Sequence, residues 1–492
     1  MNPLEVKNRK DLKNLILYIE EHFPVNKWKM DDIHLWPILR IRLYMLVMME
    51  IENPDPSLPV ETELQKKKKQ KKRNFYTRVF QRLTLEYQKL RDDYQNKRDV
   101  WKLNKWLKRL PKVDHLFLAH TFYRVHYDNT LFNRFFDTYV SQQQLGSNYI
   151  YLDGKSKLET PYFRENQVYF YNEYKNIYHK TTKINDINNF SKINLSGYQD
   201  FDKFIRQLDY AKSFYRQFCL KNIYHYLTYI KKNLDFFSLI LNRCQPSQVY
   251  SLCYYGGDLP FIMALANNNK IKTIDYQHGP QIDVHMAYAS WTQIPADGYA
   301  MVPKNYWCWD KPSAEIINHW AKNHDSYQTE VVGNFWINYW QTKSETFKKE
   351  GYILYSLQPS PVKLSELFTP QIIRFIKHQN YTWFLRLHPR QLDKKVKIVE
   401  FLKNEGVFDL VEIEEATTQP LPLLLANCHI HLTQYSGCAI EASLMDKTTV
   451  FLNTIGKEAF PDMIKEDKGI YIDPESVAFD QQLIRLLQLT NQ

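Results

Sequence analysis

Short apolar runs recur along the chain from Val113 onward, several closed by a polar cluster, and stretches of helical period lie between them. Val113 to Ala119, Asn148 to Leu152, Gln248 to Tyr255 and Ile271 to Tyr276 predict strands. Leu131 to Gln144 and Leu259 to Asn267 predict helices, and a long helical periodicity covers about 200–243, ending before Pro246. A tyrosine-rich stretch over 160–195 is less regular. The character changes around 330–350, where Glu330-Val331-Val332-Gly333-Asn334 closes one region and, after a charged stretch, Gly351 to Leu357 opens another strand. Further strands follow at 382–387, 409–413, 428–432, 448–452 and 469–472, with helices between them. Alternation of this kind predicts an α/β fold of parallel sheets covered by helices on both faces. The predicted organisation is a helical extension over 1–110, one α/β domain over 111–340 and a second over 341–492, the two facing one cleft. No repeat of solenoid period is present.

The N-terminal region reads differently. Residues 1 to about 50 form a small helical unit in which Pro37 suits a first helical turn and Ile38, Ile41, Leu43, Met45, Leu46 and Met49 supply an apolar surface. Arg40 and Arg42 interrupt that surface, which favours packing against the rest of the protein over insertion into a membrane. A Pro-rich linker from Ile51 to Val60 precedes the basic block Lys66 to Lys69, Lys71, Lys72 and Arg73, and basic residues continue to Lys112. This segment accounts for much of the net charge of +11. An anionic membrane face would attract it by roughly 1 kcal/mol per Lys or Arg, and Trp101 and Trp106 suit an interface; plain solvation is the competing reading. No recognised nucleic-acid motif accompanies the charge, so nucleic acid is not an expected partner. No run approaches the ~18 apolar residues of a membrane span, and the first residues do not read as a signal peptide. The expectation is a cytoplasmic protein, soluble or peripheral on the inner face of the plasma membrane. The six cysteines form no CxxC pair, as befits a reducing compartment.

Three segments carry candidate chemistry: Ile274-Asp275-Tyr276-Gln277-His278-Gly279-Pro280, Leu385-Arg386-Leu387-His388-Pro389-Arg390, and Thr433-Gln434-Tyr435-Ser436-Gly437-Cys438-Ala439-Ile440-Glu441-Ala442. Each places polar groups at the end of an apolar run, and in open α/β sheets ligands sit beyond the carboxyl ends of the strands. A turn through Ser436 and Gly437 into a helix suits a phosphate, and Glu441 one turn further in can accept from ribose hydroxyls; equally, Ser436 can be a helix cap and Glu441 a solvated acid. His388, with Pro389 fixing the chain exit, can donate to a phosphate or act as general acid, or be a structural loop histidine. His278, between Gln277 and Gly279, admits the same two roles. Asp258, after Gly256 and Gly257, is either a carboxylate of the cleft or a helix N-cap. No HExxH is present, and the one DxD triplet, Asp200-Phe201-Asp202, falls within the helical periodicity, away from the three candidate segments.

With these residues in view, the chain resembles bacterial capsule and lipopolysaccharide glycosyltransferases of GT-B fold, in particular those using CMP-activated ulosonic acids of the Kdo or sialic type. The resemblance covers roughly 113–480 and is carried by Val113 to Arg124, Tyr276 to Gly279, Val332 to Asn338, Ser356-Leu357-Gln358-Pro359, Leu387-His388-Pro389 and Ser436 to Ala442. It implies two Rossmann-like domains, with the nucleotide held in the C-terminal one by Arg386, His388, Pro389, Gln358, Ser436, Gly437 and Glu441. The acceptor would enter the N-terminal domain near Gln277, Gly279 and Arg124, with Asp258 or His278 as catalytic base and His388 assisting the leaving phosphate. Gly257-Asp258 reverses the acid–glycine order of the sialyltransferase-type motif, and Asn338 stands where relatives often carry Asp. The implied partners are a nucleotide-sugar donor and a cell-surface glycan or lipid-linked acceptor, with no metal and no other cofactor. A CDP-glycerol-type polyol-phosphate transferase and a non-catalytic scaffold of polysaccharide assembly are the alternatives.

Overall fold

The computed structural model describes residues 5–52, 75–127, 129–155, 157–182, 192–342, 351–359 and 362–489. The basic block at 66–73 lies outside them, as does the linker from Asn53 to Val60.

Two parallel sheets organise the chain. The first has seven strands: β1 (His115–Ala119), β2 (Tyr149–Asp153), β3 (Val168–Phe170), β4 (Gln248–Ser251), β5 (Lys272–Tyr276), β6 (Asn305–Cys308) and β7 (Gln328–Val331). Their spatial order is β3-β2-β1-β4-β5-β6-β7, every pair parallel. The second has six strands: β8 (Tyr352–Ser356), β9 (Trp383–Arg386), β10 (Val411–Glu412), β11 (Cys428–Thr433), β12 (Thr449–Phe451) and β13 (Gly469–Tyr471). Their order is β10-β9-β8-β11-β12-β13, again all parallel. Each sheet therefore runs outward from its first strand, then returns to that strand's other side. This is the doubly wound Rossmann order, with topological switch points between β1 and β4 and between β8 and β11. The chain thus has two Rossmann-like α/β domains. Strands such as Tyr352–Ser356 and Tyr149–Asp153 are buried along their whole length, as parallel strands covered on both faces must be.

Several predicted elements took another form. Leu131 to Gln144 is not one helix: Thr130–Asn133 pairs antiparallel with Arg124–Tyr127, and the helix is only Phe136–Gln143. Asn133 causes the break, because its Oδ1 accepts from the N–H groups of Phe135 and Phe136, both at 3.1 Å, and so starts the helix there. The periodicity over 200–243 is divided into Tyr198–Arg206, Lys212–Phe218 and Ile223–Cys244. The strand from Gln248 stops at Ser251, where Cys253 turns the chain with φ +60°.

The N-terminal helices Arg9–His22 and Trp36–Glu52 share one continuous core with the first sheet, through Leu12, Ile16, Trp28, Trp36, Leu39 and Leu43 on one side and Leu116, Val249, Phe261 and Tyr306 on the other. The pair Arg40–Glu20 is buried between them, Nε to Oε1 2.8 Å. Among the described residues no helix is long and apolar enough to cross a membrane.

Candidate active site

The carboxyl ends of β1, β4 and β5 carry the first half of the site. Gln277 and Arg124, expected to line the cleft, are enclosed. Gln277 accepts from the Trp309 N–H at 2.7 Å and donates to Gly279 O and Ser313 Oγ, so its amide fixes the loop that carries His278. Arg124, its side chain wholly buried, lies near Asp137 and Asp153 and donates to Leu131 O at 3.3 Å. It braces the hairpin beneath the sheet. Tyr276 is also spent structurally: its hydroxyl donates to Gly333 O and accepts from Phe335 N, pinning the segment that leads out of the domain.

His278 is half-buried beside Tyr123, Tyr255 and Tyr288, with ring centroids 5.6, 6.3 and 6.5 Å away. Its Nδ1 is enclosed with no hydrogen-bond partner. Burial first, then the neighbouring His285 and Arg134, push its pKa down to about 3. It is neutral at pH 7 and keeps a nitrogen lone pair. Behind it, Asp275 accepts from Ser251 Oγ at 2.7 Å, Tyr288 OH at 2.9 Å and the Tyr254 N–H at 3.0 Å. Burial raises that carboxyl to about 7 despite these donors. Cys253 stays a thiol, pushed up to about 12 by burial.

Asp258 occupies the N-cap position of helix Leu259–Asn268 but does not cap it with its side chain. The carboxylate turns to Lys175 Nζ at 2.5 Å and to the hydroxyls of Tyr171 and Tyr229, both at 3.2 Å. Among the described residues no hydrogen bond joins it to His278, and to act as a base it would first have to leave an ion pair.

The second half lies at the ends of β8, β9 and β11. His388 caps the 3-10 turn Pro389–Lys394 through Nδ1, which accepts from the Arg390 N–H at 3.1 Å. A neutral imidazole with Nδ1 as acceptor must carry its proton on Nε2, so His388 presents a donor. Burial, then Arg390 and Arg134, lower its pKa to about 4. Gln391 donates to Gln358 O at 2.8 Å and accepts from the His388 N–H, tying the β8 and β9 loops together. The Gln358 Oε1 is buried without a partner. Arg386 directs one guanidinium nitrogen to the carbonyls of Ala416 and Gln419, each at 2.7 Å. Ser436 takes the capping role, its Oγ accepting from the Cys438 N–H at 3.3 Å. Glu441 is 7% exposed, not a solvated acid, and burial raises its pKa while Arg134 and Arg386 pull it down.

The two halves meet. A Cβ on Gly437 would come within 2.9 Å of Pro280 Cδ, so the third motif packs directly on the first. Ile440 and Leu444, on the helix that carries Glu441, pack on the cluster of Phe135, Tyr276 and Phe335 in the N-terminal domain. Gln341 donates to Leu444 O at 3.1 Å beside this seam.

The site residue that the motifs did not reveal is Arg134. It acts electrostatically on His278 and Tyr276 in one domain and on His388, Arg386 and Glu441 in the other. A signal was present in the sequence: Asn133 before Phe135-Phe136-Asp137 is a helix-start pattern that puts Arg134 in a loop. Among the described residues no cluster of three or more metal-ligating side chains exists.

No family model and no curated protein matches this sequence. Solved structures with a similar fold include the UDP-GlcNAc 2-epimerase of Neisseria meningitidis bound to UDP-GlcNAc (TM-score 0.44, 11% identity, covering 77% of this chain and 92% of that one). The wall teichoic acid polymerase TagF aligns at TM-score 0.41 and 11% identity over 85% of this chain and 93% of its own. A glycotransferase of kitacinnamycin aligns at TM-score 0.38 and 9% identity over 78% and 92%. These likenesses concern the fold alone.

Proposed function

We propose that the protein is a glycosyltransferase of GT-B type that moves a sugar from a nucleotide donor to a glycan or lipid-linked acceptor without a metal. The observation that carries this reading is a pair of histidines, His278 and His388, on opposite sides of one interdomain seam, both held neutral and suited to opposite proton roles. His388 offers Nε2–H to a leaving phosphate, beside Gln358, Ser436, Gly437 and Glu441. His278 offers a lone pair to an acceptor hydroxyl. Its basicity is depressed partly by Arg134, and an anionic donor would offset that charge and move the imidazole toward the range a general base needs. Asp258 is the second candidate base. The donor that the motifs favour is a CMP-activated ulosonic acid, bound through Arg386, His388 and Pro389.

The test is release of CMP from CMP-Kdo and CMP-sialic acid, with and without EDTA. The expected result is release that survives EDTA and falls in His278→Ala and His388→Ala. Turnover of CDP-glycerol instead would favour polyol-phosphate transfer. Failure to bind any nucleotide would favour the scaffold.

A further inference from the structure

We propose that Arg134, although it belongs to the N-terminal domain, is the cation that meets the donor phosphate across the seam; this rests on the nucleotide-donor reading above. Its backbone is held in a fixed turn, since Asn133 Oδ1 caps the following helix and the Asn133 N–H donates to Asp137 Oδ2 at 2.7 Å. The guanidinium lies 4.8 Å from the Phe135 ring centroid. That ring packs 5.8 Å from Tyr276 and 5.7 Å from Tyr123, which in turn flanks His278. Arg134 is half-buried, yet it forms no ion pair within 4.0 Å among the described residues. Arg40, Arg124 and Arg164, three other arginines enclosed in this domain, each have a carboxylate at or within that distance.

With Arg386 on the far side and the buried carboxylate of Glu441 acting on both, the described residues of the seam carry two cations to one anion. A phosphate ester complements a guanidinium by paired charge-assisted hydrogen bonds. In the transfer, the bond from the anomeric carbon to the phosphate oxygen breaks and its electron pair stays on that oxygen. Arg134 donates to the phosphate as its charge grows. The acceptor oxygen forms the new bond to carbon and gives its proton to His278. An arginine supplied by the other domain also makes donor binding and seam closure one event.

The experiment is calorimetric titration of the full chain, Arg134→Gln and Arg134→Lys with CMP, UMP and UDP, with cytidine and uridine as phosphate-free probes, and with free sialic acid as a carboxylate probe. Arg134→Gln should weaken nucleotide binding about 10- to 100-fold while nucleoside affinity and the unliganded Tm stay unchanged, and Arg134→Lys should recover part of the loss. Equal nucleotide affinity in wild type and Arg134→Gln overturns the assignment. So does parallel weakening of nucleotide and nucleoside, which marks a structural role, or an effect confined to sialic acid, which marks a carboxylate site. If Arg134→Gln does not fold, Arg134→Lys decides, because a point charge without the fork should still separate nucleotide from nucleoside. Absence of nucleotide binding by the wild type would instead remove the donor reading itself.

Discussion

Arg40→Met tests whether the N-terminal helices are an integral part of the first Rossmann-like domain. The Arg40 side chain is wholly buried, with Nε 2.8 Å from Glu20 Oε1. Its terminal nitrogens donate to the carbonyls of Met286, Ala289 at 3.1 Å and Ser290 at 2.8 Å, and it stacks 4.1 Å from the Trp291 ring centroid. Glu20 also accepts from Trp36 Nε1 at 2.9 Å and from Thr292. Methionine fills most of the same volume but leaves the Glu20 charge without its cation and the three carbonyls without a donor. Breaking one side of a buried pair costs about 3–5 kcal/mol. Urea unfolding of the full chain should show that loss. Glu20→Gln with Arg40→Met should cost less than the sum of the two single changes by about 1–3 kcal/mol, because the uncompensated charge is gone. The clamped segment follows His278 and His285 directly in the chain, so Arg40→Met should also lower turnover. A loss below about 1 kcal/mol, or strict additivity, would show that this buried pair does not hold the helices to the domain.

His388→Ala should reduce turnover about 10²- to 10³-fold if its Nε2–H stabilises the leaving phosphate, while loss of the turn cap lowers stability by only about 1 kcal/mol; full activity would remove that role. Acid should destabilise the fold below about pH 6.5. His34, His278, His285, His388 and His431 all have folded pKa values lowered to about 3 or 4, so the stability they contribute is complete above the unfolded value and lost as pH falls toward the folded one. Asp275 and Asp137, raised to about 7 and about 6, and Glu441, raised by burial, act in the opposite direction, but they are three against five. A Tm that rises from pH 7 to pH 5 would contradict this balance. Deleting residues 62–75 should weaken binding to phosphatidylserine vesicles at low salt and leave transfer to a soluble acceptor intact; equal vesicle binding would reject the membrane role of the basic block.

The alternation of strands and helices was legible because fully buried parallel strands such as Tyr352–Ser356 and Trp383–Arg386 are continuous apolar runs. Strand order was not, since hydrophobic period does not record which neighbour a strand pairs with. The hairpin at 124–133 was misread because Leu131, Phe132, Phe135 and Phe136 fit a helical face as well as a strand, and only the Asn133 cap separates the two. The placement of His278, His388, Ser436 and Gly437 beyond the carboxyl ends of strands was legible because polar residues closing apolar strands must emerge at that edge. Gln277 and Arg124 satisfied the same rule but met partners distant in sequence, Trp309 and Ser313 for one, Asp137 and Asp153 for the other. The reverse holds for Arg134, which the seam brings near groups of both domains.

A nucleotide-donor site closed between two Rossmann-like domains should respond to a thermal-shift panel of CMP, CDP, UMP, UDP, GDP and ADP. A ligand present at 100 times its dissociation constant stabilises the folded state by about 2.7 kcal/mol. The expected result is a clear Tm increase with CMP that is lost in His388→Ala. No shift with any of the six nucleotides would contradict it.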